Sequence, residues 1–422
     1  MKSYFLSKKH FIFFVFISAF SFGQNPDQIH KKIEHQTESI FNNSIEIRND
    51  LNSHPEISGN EKRTSEVIEL HLKNLGLEVH TNIGGYGVVG ILKTNRKGKK
   101  IAWRADIDAL PHLSEKNSNY SDAKHLCGHD VNATIALGIA NILAQNKDNL
   151  SGTVYFVFQP SEETLKGAKA MIKDNLLSLI NPDEIYALHI APMPEGIIAT
   201  KPENIFADYK KINITIKNSD LDDVVDFTKN QILKLQNISK DSKFWDNNSL
   251  LDPNIGLGNP NTIFKNYITV DSNFKVSKGK KETKITNSIS VSNLKLIDSI
   301  KKKIKDSFKQ SKYANQLIDI SFENKVELVI NDNKLTSKAI KTLSNIYPNN
   351  IITLHGEIPD GRSDDFSVFQ QKIPGVYFLL GASNFEKGII SMPHSPSFSI
   401  DENSIKTGVK YFSSLIYERT KA

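Results

Sequence analysis

Four short apolar runs in this chain behave alike: each reads as a buried strand, and each passes directly into acidic or imidazole side chains. Ile101–Trp103 leads into Asp106 and Asp108, Thr153–Gln159 into Glu162 and Glu163, Ile185–Leu188 into His189, and Val376–Leu380 into a loop that contains His394. Continuous apolar strands, unlike alternating ones, belong to sheets covered on both faces. In an open, mostly parallel sheet between layers of helices, the carboxyl ends of the strands form the crevice where ligands bind. The pattern therefore predicts an α/β fold, a mixed and mostly parallel sheet sandwiched by helices, whose crevice gathers these residues.

The densest part runs from Trp103 to Glu163: WRADIDALP, then HLCGHD, then FQPSEE. Between them Asp130 is expected to cap a helix whose Ile135, Ile139, Ile142 and Leu143 face the sheet, holding Cys127 and His129 at its entrance. Taken singly, each residue has an ordinary reading. A histidine at a strand end is usually a satisfied polar group, a Glu-Glu pair is usually surface, and a lone cysteine is usually a small buried side chain. Taken together they are the thiolate, imidazole and carboxylate set that holds divalent transition metals. Two adjacent glutamates also allow a division of labour, one as ligand and the other free to act as general base.

At 422 residues the chain is long enough for two to three domains. Its net charge of +6 is spread along the sequence, and runs such as Lys301-Lys302-Lys303 read as solvated helix faces, so no nucleic-acid partner is expected. The N-terminus carries Lys2, Lys8 and Lys9, then the apolar run Phe11–Phe22, then Gly23 before Gln24. That run is shorter than the roughly 20 apolar residues a bilayer span needs, so we expect a signal peptide over residues 1–23, export to the periplasm or medium, and no stable membrane insertion. Cys127 is the only cysteine, so no internal disulfide can form. A lone thiol outside the cytoplasm is an oxidation liability unless something such as a metal holds it.

Helical spacing runs from Gln24 to Asp50 through Ile29, Ile33, Ile40, Ile45 and Ile47, and a second amphipathic helix from Thr64 should turn Val67, Leu70, Leu72 and Leu75 inward. His54 reads as a turn residue. Further on, Lys211–Lys217 alternates with Ile212, Ile214 and Ile216. Helices follow over Leu221–Leu235 and around Ile297, Ile300, Ile304 and Phe308, with a strand over Gln316–Glu323. That order predicts a small α+β layer inserted in the main domain. We divide the chain into 24–208 and 326–422 for the main domain and 209–325 for the insert. Asn237–Lys281, rich in Asn, Ser, Lys and Asp, gives no clear elements. A helix over Lys334–Ile346, a strand over Gly375–Leu380 and a helix over Ile405–Tyr417 return to the main domain.

RADIDALP, HLCGHD, FQPSEE followed by GAKAMI, ALHIAP, SDDFSVF and MPHSPSFSIDE resemble, in order and spacing, the metal-dependent amidohydrolases and carboxypeptidases that include hippurate hydrolase, aminoacylases, indole-acetyl-amino-acid hydrolases and N-acetyl-diaminopimelate deacetylase. The opening HPEISGNEKRT is similar as well, and the resemblance covers roughly Ile47 to Thr215 and Val326 to Tyr417. It implies a zinc-peptidase-like catalytic domain with a lid or dimerisation domain, and two divalent ions, whether zinc, manganese, cobalt or nickel. The same resemblance implies Cys127, His129, Glu163, His189 and His394 as metal ligands and Glu162 as general base on a water bridging the ions. Asp106 and Asp108 would orient a ligand, and Asp364 and Asp365 match a motif near the substrate cleft. The implied reaction is hydrolysis of N-acyl amino acids or small peptides. A homodimer is possible.

The chain departs from these relatives in three places. Their Gly-Gly-His-Ala segment after the first lid strand is absent, with no histidine between His189 and His355, and Asn132 stands where they usually carry His. Thr164-Leu165-Lys166 also replaces a Gly-rich loop, bringing a positive charge toward the cleft. Two readings follow: an active exported di-metal amidohydrolase, or a weakened relative that binds peptide or acyl amino acid without turnover. Substrate-binding residues are not assigned.

Overall fold

In the computed structural model, residues 26–111, 123–217, 222–324, 327–359 and 363–421 are described; the N-terminal apolar run and its expected cleavage point lie outside them. Two helices come first, α1 (Pro26–Ser53) and α2 (Lys62–Asn74). Strands β1 (Glu78–Ile83), β2 (Gly87–Lys93) and β3 (Lys100–Asp106) are followed by α3 (His129–Gln145), β4 (Thr153–Gln159), α4 (Gly167–Lys173), β5 (Glu184–Pro194) and β6 (Ile198–Thr200). The chain then leaves for an insert of β7 (Asp208–Lys217), α5 (Asp222–Leu233), β8 (Ile268–Val270), β9 (Lys275–Lys278), β10 (Glu282–Val291), α6 (Lys295–Lys309) and β11 (Leu317–Asn324). It returns through α7 (Asn333–Ile346), β12 (Ile351–Thr353), β13 (Gly375–Ser383) and α8 (Asn403–Lys421).

The main sheet has eight strands in the order β1-β2-β4-β3-β5-β13-β6-β12. The β4–β3, β3–β5, β5–β13 and β6–β12 pairings are parallel, while β1–β2, β2–β4 and β13–β6 are antiparallel. This is the mixed, mostly parallel sheet that the apolar runs implied. Every residue of β3 after Lys100 is buried, as a central strand covered on both faces requires. On one face lies α3, itself buried almost all round because α1 and α8 cover its outer side. Gly138 allows that close approach: a Cβ there would come within 2.4 Å of Val409 Cγ2 on α8. Trp103, Phe378 and Phe412 knit the sheet to α8, with ring centroids 4.8 and 5.0 Å apart.

The insert has its own sheet in the order β8-β10-β7-β11, with β9 sharing an edge of β10. Ile212, Ile214, Ile216, Ile285 and Ile289 pack against Val224 and Ile232 of α5 and Ile300, Ile304 and Phe308 of α6. The alternating isoleucines of β7 thus supply one apolar face, the half-buried strand pattern.

Three local expectations are corrected. Asp130 does not cap α3; Gly128 holds that position, and the buried Asp130 carboxylate instead accepts from Arg48 Nε at 2.8 Å and Asn52 Nδ2 at 2.9 Å of α1. His189 lies inside β5 rather than in a loop beyond it, because β5 continues to Pro194 alongside β13. Leu70 points outward at 61% exposure while Ile68 and Leu72 are buried; two residues in either direction along a helix is the opposite face.

Candidate metal centre

β3 delivers Asp106 as its last residue, with Asp108 just beyond. Cys127 and His129 are turned toward a common point by Gly128, whose φ of 87° is left-handed and whose Cβ, if present, would meet Ile190 Cδ1 at 2.1 Å. His129 opens α3 and is fully buried. Its Nδ1 donates to the Asp108 carbonyl at 2.9 Å, with Asp108 Oδ1 at 3.2 Å. In the neutral ring this fixes the tautomer and makes Nε2 the nitrogen that can offer a lone pair. That atom sits 3.8 Å from Asp106 Oδ2, 3.8 Å from Glu162 Oε2 and 3.9 Å from Glu163 Oε1, with no hydrogen-bond partner among the described residues.

His189 repeats the arrangement. Its Nδ1 donates to the Ile190 carbonyl at 2.8 Å, and its Nε2 lies 3.3 Å from Cys127 Sγ. From the opposite side His394 Nε2 comes within 3.2 Å of Cys127 Sγ and 3.4 Å of Glu163 Oε2. His394 holds a left-handed φ of 63°, pinned by its N–H donating to Leu126 O at 2.8 Å. Its side chain is 58% exposed, so the cluster opens to solvent on this side.

Among the described residues the donor atoms form four groups, each gathered within 4.8 Å: Cys127 with His129 and His189, Cys127 with Glu163 and His394, His129 with Glu162 and Glu163, and Glu162 with Asp364 and Asp365; the first two share one sulfur. The residues fit divalent cations on chemistry and on bookkeeping. Thiolate, imidazole and carboxylate are the right donors, and among the described residues the buried His129 Nε2 and Glu163 Oε1 have no hydrogen-bond partner, a costly state unless something meets them. Burial pushes the Cys127 thiol well above its ordinary range. A bound cation reverses this, because a coordinating thiol is deprotonated outright. Similarly, burial disfavours the His129 imidazolium but Asp106 and Cys127 favour it more strongly, so a proton and a cation compete for the same Nε2.

Glu162 is buried beside this cluster. Burial, reinforced by Asp364 and Asp365, raises its carboxyl well above the usual range, against the pull of His129 and Arg104. Glu163 goes the other way: burial would raise it, but His394 and His129 hold it low. Adjacent residues of one type thus have opposite proton affinities.

Several residues that hold the site were not read from the sequence. Arg104 has no exposed surface, yet every guanidinium N–H faces an acceptor: Nε to Gln159 Oε1 at 2.8 Å, Nη1 to Asp106 Oδ2 at 2.7 Å and Asp364 Oδ2 at 3.1 Å, and Nη2 to Asp364 Oδ1 at 2.9 Å and Asp365 Oδ1 at 3.1 Å. Tyr377 adds a hydroxyl to Asp364 at 2.9 Å, and Asn132 donates to Asp106 Oδ1 at 2.8 Å. Glu61 accepts from the Ser161 N–H at 2.8 Å and so steadies the turn, with Ser161 at φ 55°, that presents Glu162. One signal was available: an arginine inside an apolar strand demands buried partners. Two other histidines that the sequence offered, His54 and His355, take no part in the cluster. His54 is half-exposed and bonded to the Asp50 carbonyl, and His355 is exposed beyond β12. Lys166 is exposed just before α4.

The model of peptidase family M20/M25/M40 matches residues 102–418. The chain belongs to that family. Thermostable carboxypeptidase 1 of Saccharolobus solfataricus is 30% identical over 90% of this M20 chain and 95% of its own length. N-acetyldiaminopimelate deacetylase of Lactobacillus acidophilus is 29% identical over 89% and 97%. Among solved structures, the YXEP protein of Bacillus subtilis, a dinuclear metal-binding peptidase from the M20 family, covers 91% of this chain and 99% of its own at a TM-score of 0.68 and 22% identity, a likeness of fold. This M20 chain is accordingly a metal-dependent amidohydrolase.

Proposed function

We propose that the chain is an exported hydrolase of N-acyl amino acids or small peptides, in which Cys127, His129, Glu163, His189 and His394 hold two divalent cations and Glu162 is the general base. The observation that carries the reading is the pair of donor groups joined through Cys127, with the buried Glu162 carboxylate 3.8 Å from His129 Nε2. Relatives named as a carboxypeptidase and as a deacetylase support the substrate class.

The cations, when bound, would polarise the scissile carbonyl and make water acidic enough to ionise near neutral pH. The remaining work belongs to side chains. Glu162, beside the two donor groups joined through Cys127, takes a proton from the attacking water and returns it to the departing amine. Asp108 keeps His129 in one tautomer and orientation, and Asp106, fixed by Arg104 and Asn132, faces the other nitrogen. The half-exposed His394 leaves an approach for substrate.

Export rests on the basic start and the apolar run Phe11–Phe22; among the described residues no helix is long and apolar enough to cross a membrane. Cell fractionation with N-terminal sequencing tests it, and a cytoplasmic chain that keeps its first residues would refute it. For the reaction, metal content and hydrolysis of N-acetyl, N-benzoyl and dipeptide substrates are measured on the mature chain and on Glu162→Gln. Turnover by the parent alone, with equal metal in both, is expected. Bound metal without turnover in either would favour a binding protein, and absence of metal would remove the assignment.

A further inference from the structure

The insert joins the main body through two chain crossings that lie side by side. Residues 205–207 lead out and residues 328–331 lead back, with Glu203–Asn204 pairing antiparallel with Ile330–Asn331. Two adjacent crossings alone make a hinge, about which the insert could swing. The stretch between α5 and β8, however, adds a third attachment.

Residues 237–267 leave the insert's own core and lay Phe244, Leu257, Phe264 and Tyr267 into the apolar cluster of the main body, among Phe206, Val329, Leu354 and Tyr377. The rings stack on one another, Phe244 to Phe264 at 5.2 Å and Phe244 to Tyr267 at 4.8 Å between centroids. Backbone bonds tie the same stretch to the loop after β12: His355 N–H donates to Leu257 O at 2.8 Å and Glu357 N–H to Phe264 O at 2.9 Å. Gly356 permits this approach, since a Cβ there would stand 2.6 Å from Phe264 O. Tyr267 reaches both bodies. Its backbone pairs with Ser292 at the end of β10, N–H to Ser292 Oγ at 2.9 Å, while its hydroxyl donates to Glu357 O at 3.1 Å.

We infer that residues 237–267 are a strap that locks the insert at one angle to the main body. The lock has a consequence for the site. A cavity of about 220 Å³ beside Asp364 and Asp365 is lined by Leu165 and Val368 from the main body and by Asn324 from the end of β11, so its width is set by the angle the strap holds. Aromatic side chains buried between two bodies hold them in one relative position in the manner of an interior core rather than a wet domain interface.

The test is the distance distribution between spin labels at Lys62→Cys on α2 and Lys303→Cys on α6, both exposed, read by pulsed electron resonance in the metal-loaded chain. The parent without added cysteines, treated with the same label, serves as the control for Cys127. One narrow distance is expected, and it should broaden or shift by several ångströms in Phe264→Ala, with unchanged far-ultraviolet dichroism and metal content. Should that variant misfold, Tyr267→Phe, which removes only the hydroxyl, is read instead and should broaden the distribution in part. A parent distribution that is already broad would overturn the inference, as would folded variants as narrow as the parent.

Discussion

Asn132 Nδ2 donates to Asp106 Oδ1 across 2.8 Å, both side chains buried, so an asparagine that looked like a departure from its relatives supports a carboxylate facing the metal cluster. Removing it would leave a buried acceptor unmet, and bonds to charged groups contribute roughly 1.5–3 kcal/mol. Asn132→Ala is expected to melt at lower temperature and, as outer residues of metal sites do, to lose about 10–100-fold in metal affinity or activity. Calorimetry and metal retention against a chelator check this; full retention with parental activity would mean Asp106 needs no such support.

One sulfur serves two of the donor groups, which separates the variants. His189→Ala and His394→Ala are each expected to retain about one cation per chain, whereas Cys127→Ala should retain fewer than either. Metal analysis after gel filtration decides. If Cys127→Ala kept as much metal as the single histidine variants, the shared-sulfur arrangement would be wrong.

Burial, opposed by Arg104, raises the Asp365 carboxyl to about 7. In the unfolded chain an aspartate ionises near 4. Between those values the unfolded state binds fewer protons than the folded one, so ionisation of Asp365 lowers stability as pH rises through the window. Asp365→Asn removes this and should lose less stability than the parent from about pH 4 to 7. Denaturant unfolding at fixed metal loading gives the two curves; parallel curves would contradict the shift.

The contact of α3 with α8 at Gly138 is a packing limit. Gly138→Ala drives a Cβ toward Val409 and should cost about 1–3 kcal/mol, the usual penalty for overpacking a core. Adding Val409→Ala should recover part of that loss, because neighbouring changes do not add. Equal losses in the single and double variants would place the strain elsewhere.

The sequence carried the strands well, because they are local. Apolar runs ending in acids are visible in a few residues, and the two catalytic-domain segments carry their motifs intact. What it did not carry is partnership across distance. Nothing beside Arg104 announces that its charge meets Asp364, which lies 260 residues on. Asp130 stood where a cap would stand, but Arg48 and Asn52 of α1 claim its carboxylate. The polar stretch 237–267 concealed Phe244, Leu257 and Phe264, too widely spaced for any helical or strand period, and only the main body's surface explains them. Glu162 and Glu163 were distinguishable in role through the resemblance alone; their opposite proton affinities come from burial and neighbours.

β13 lies between β5 and β6 in the main sheet, yet it is made almost two hundred residues after β5. Until Gly375–Ser383 exists, the facing edges of β5 and β6 have no partner, and the long separation makes their closure slow. Open strand edges recruit other chains. Synthesis halted before Gly375 should therefore yield aggregates rather than a smaller folded body, and a chain held extended until its last strands emerge would reach the native sheet with the fewest false pairings.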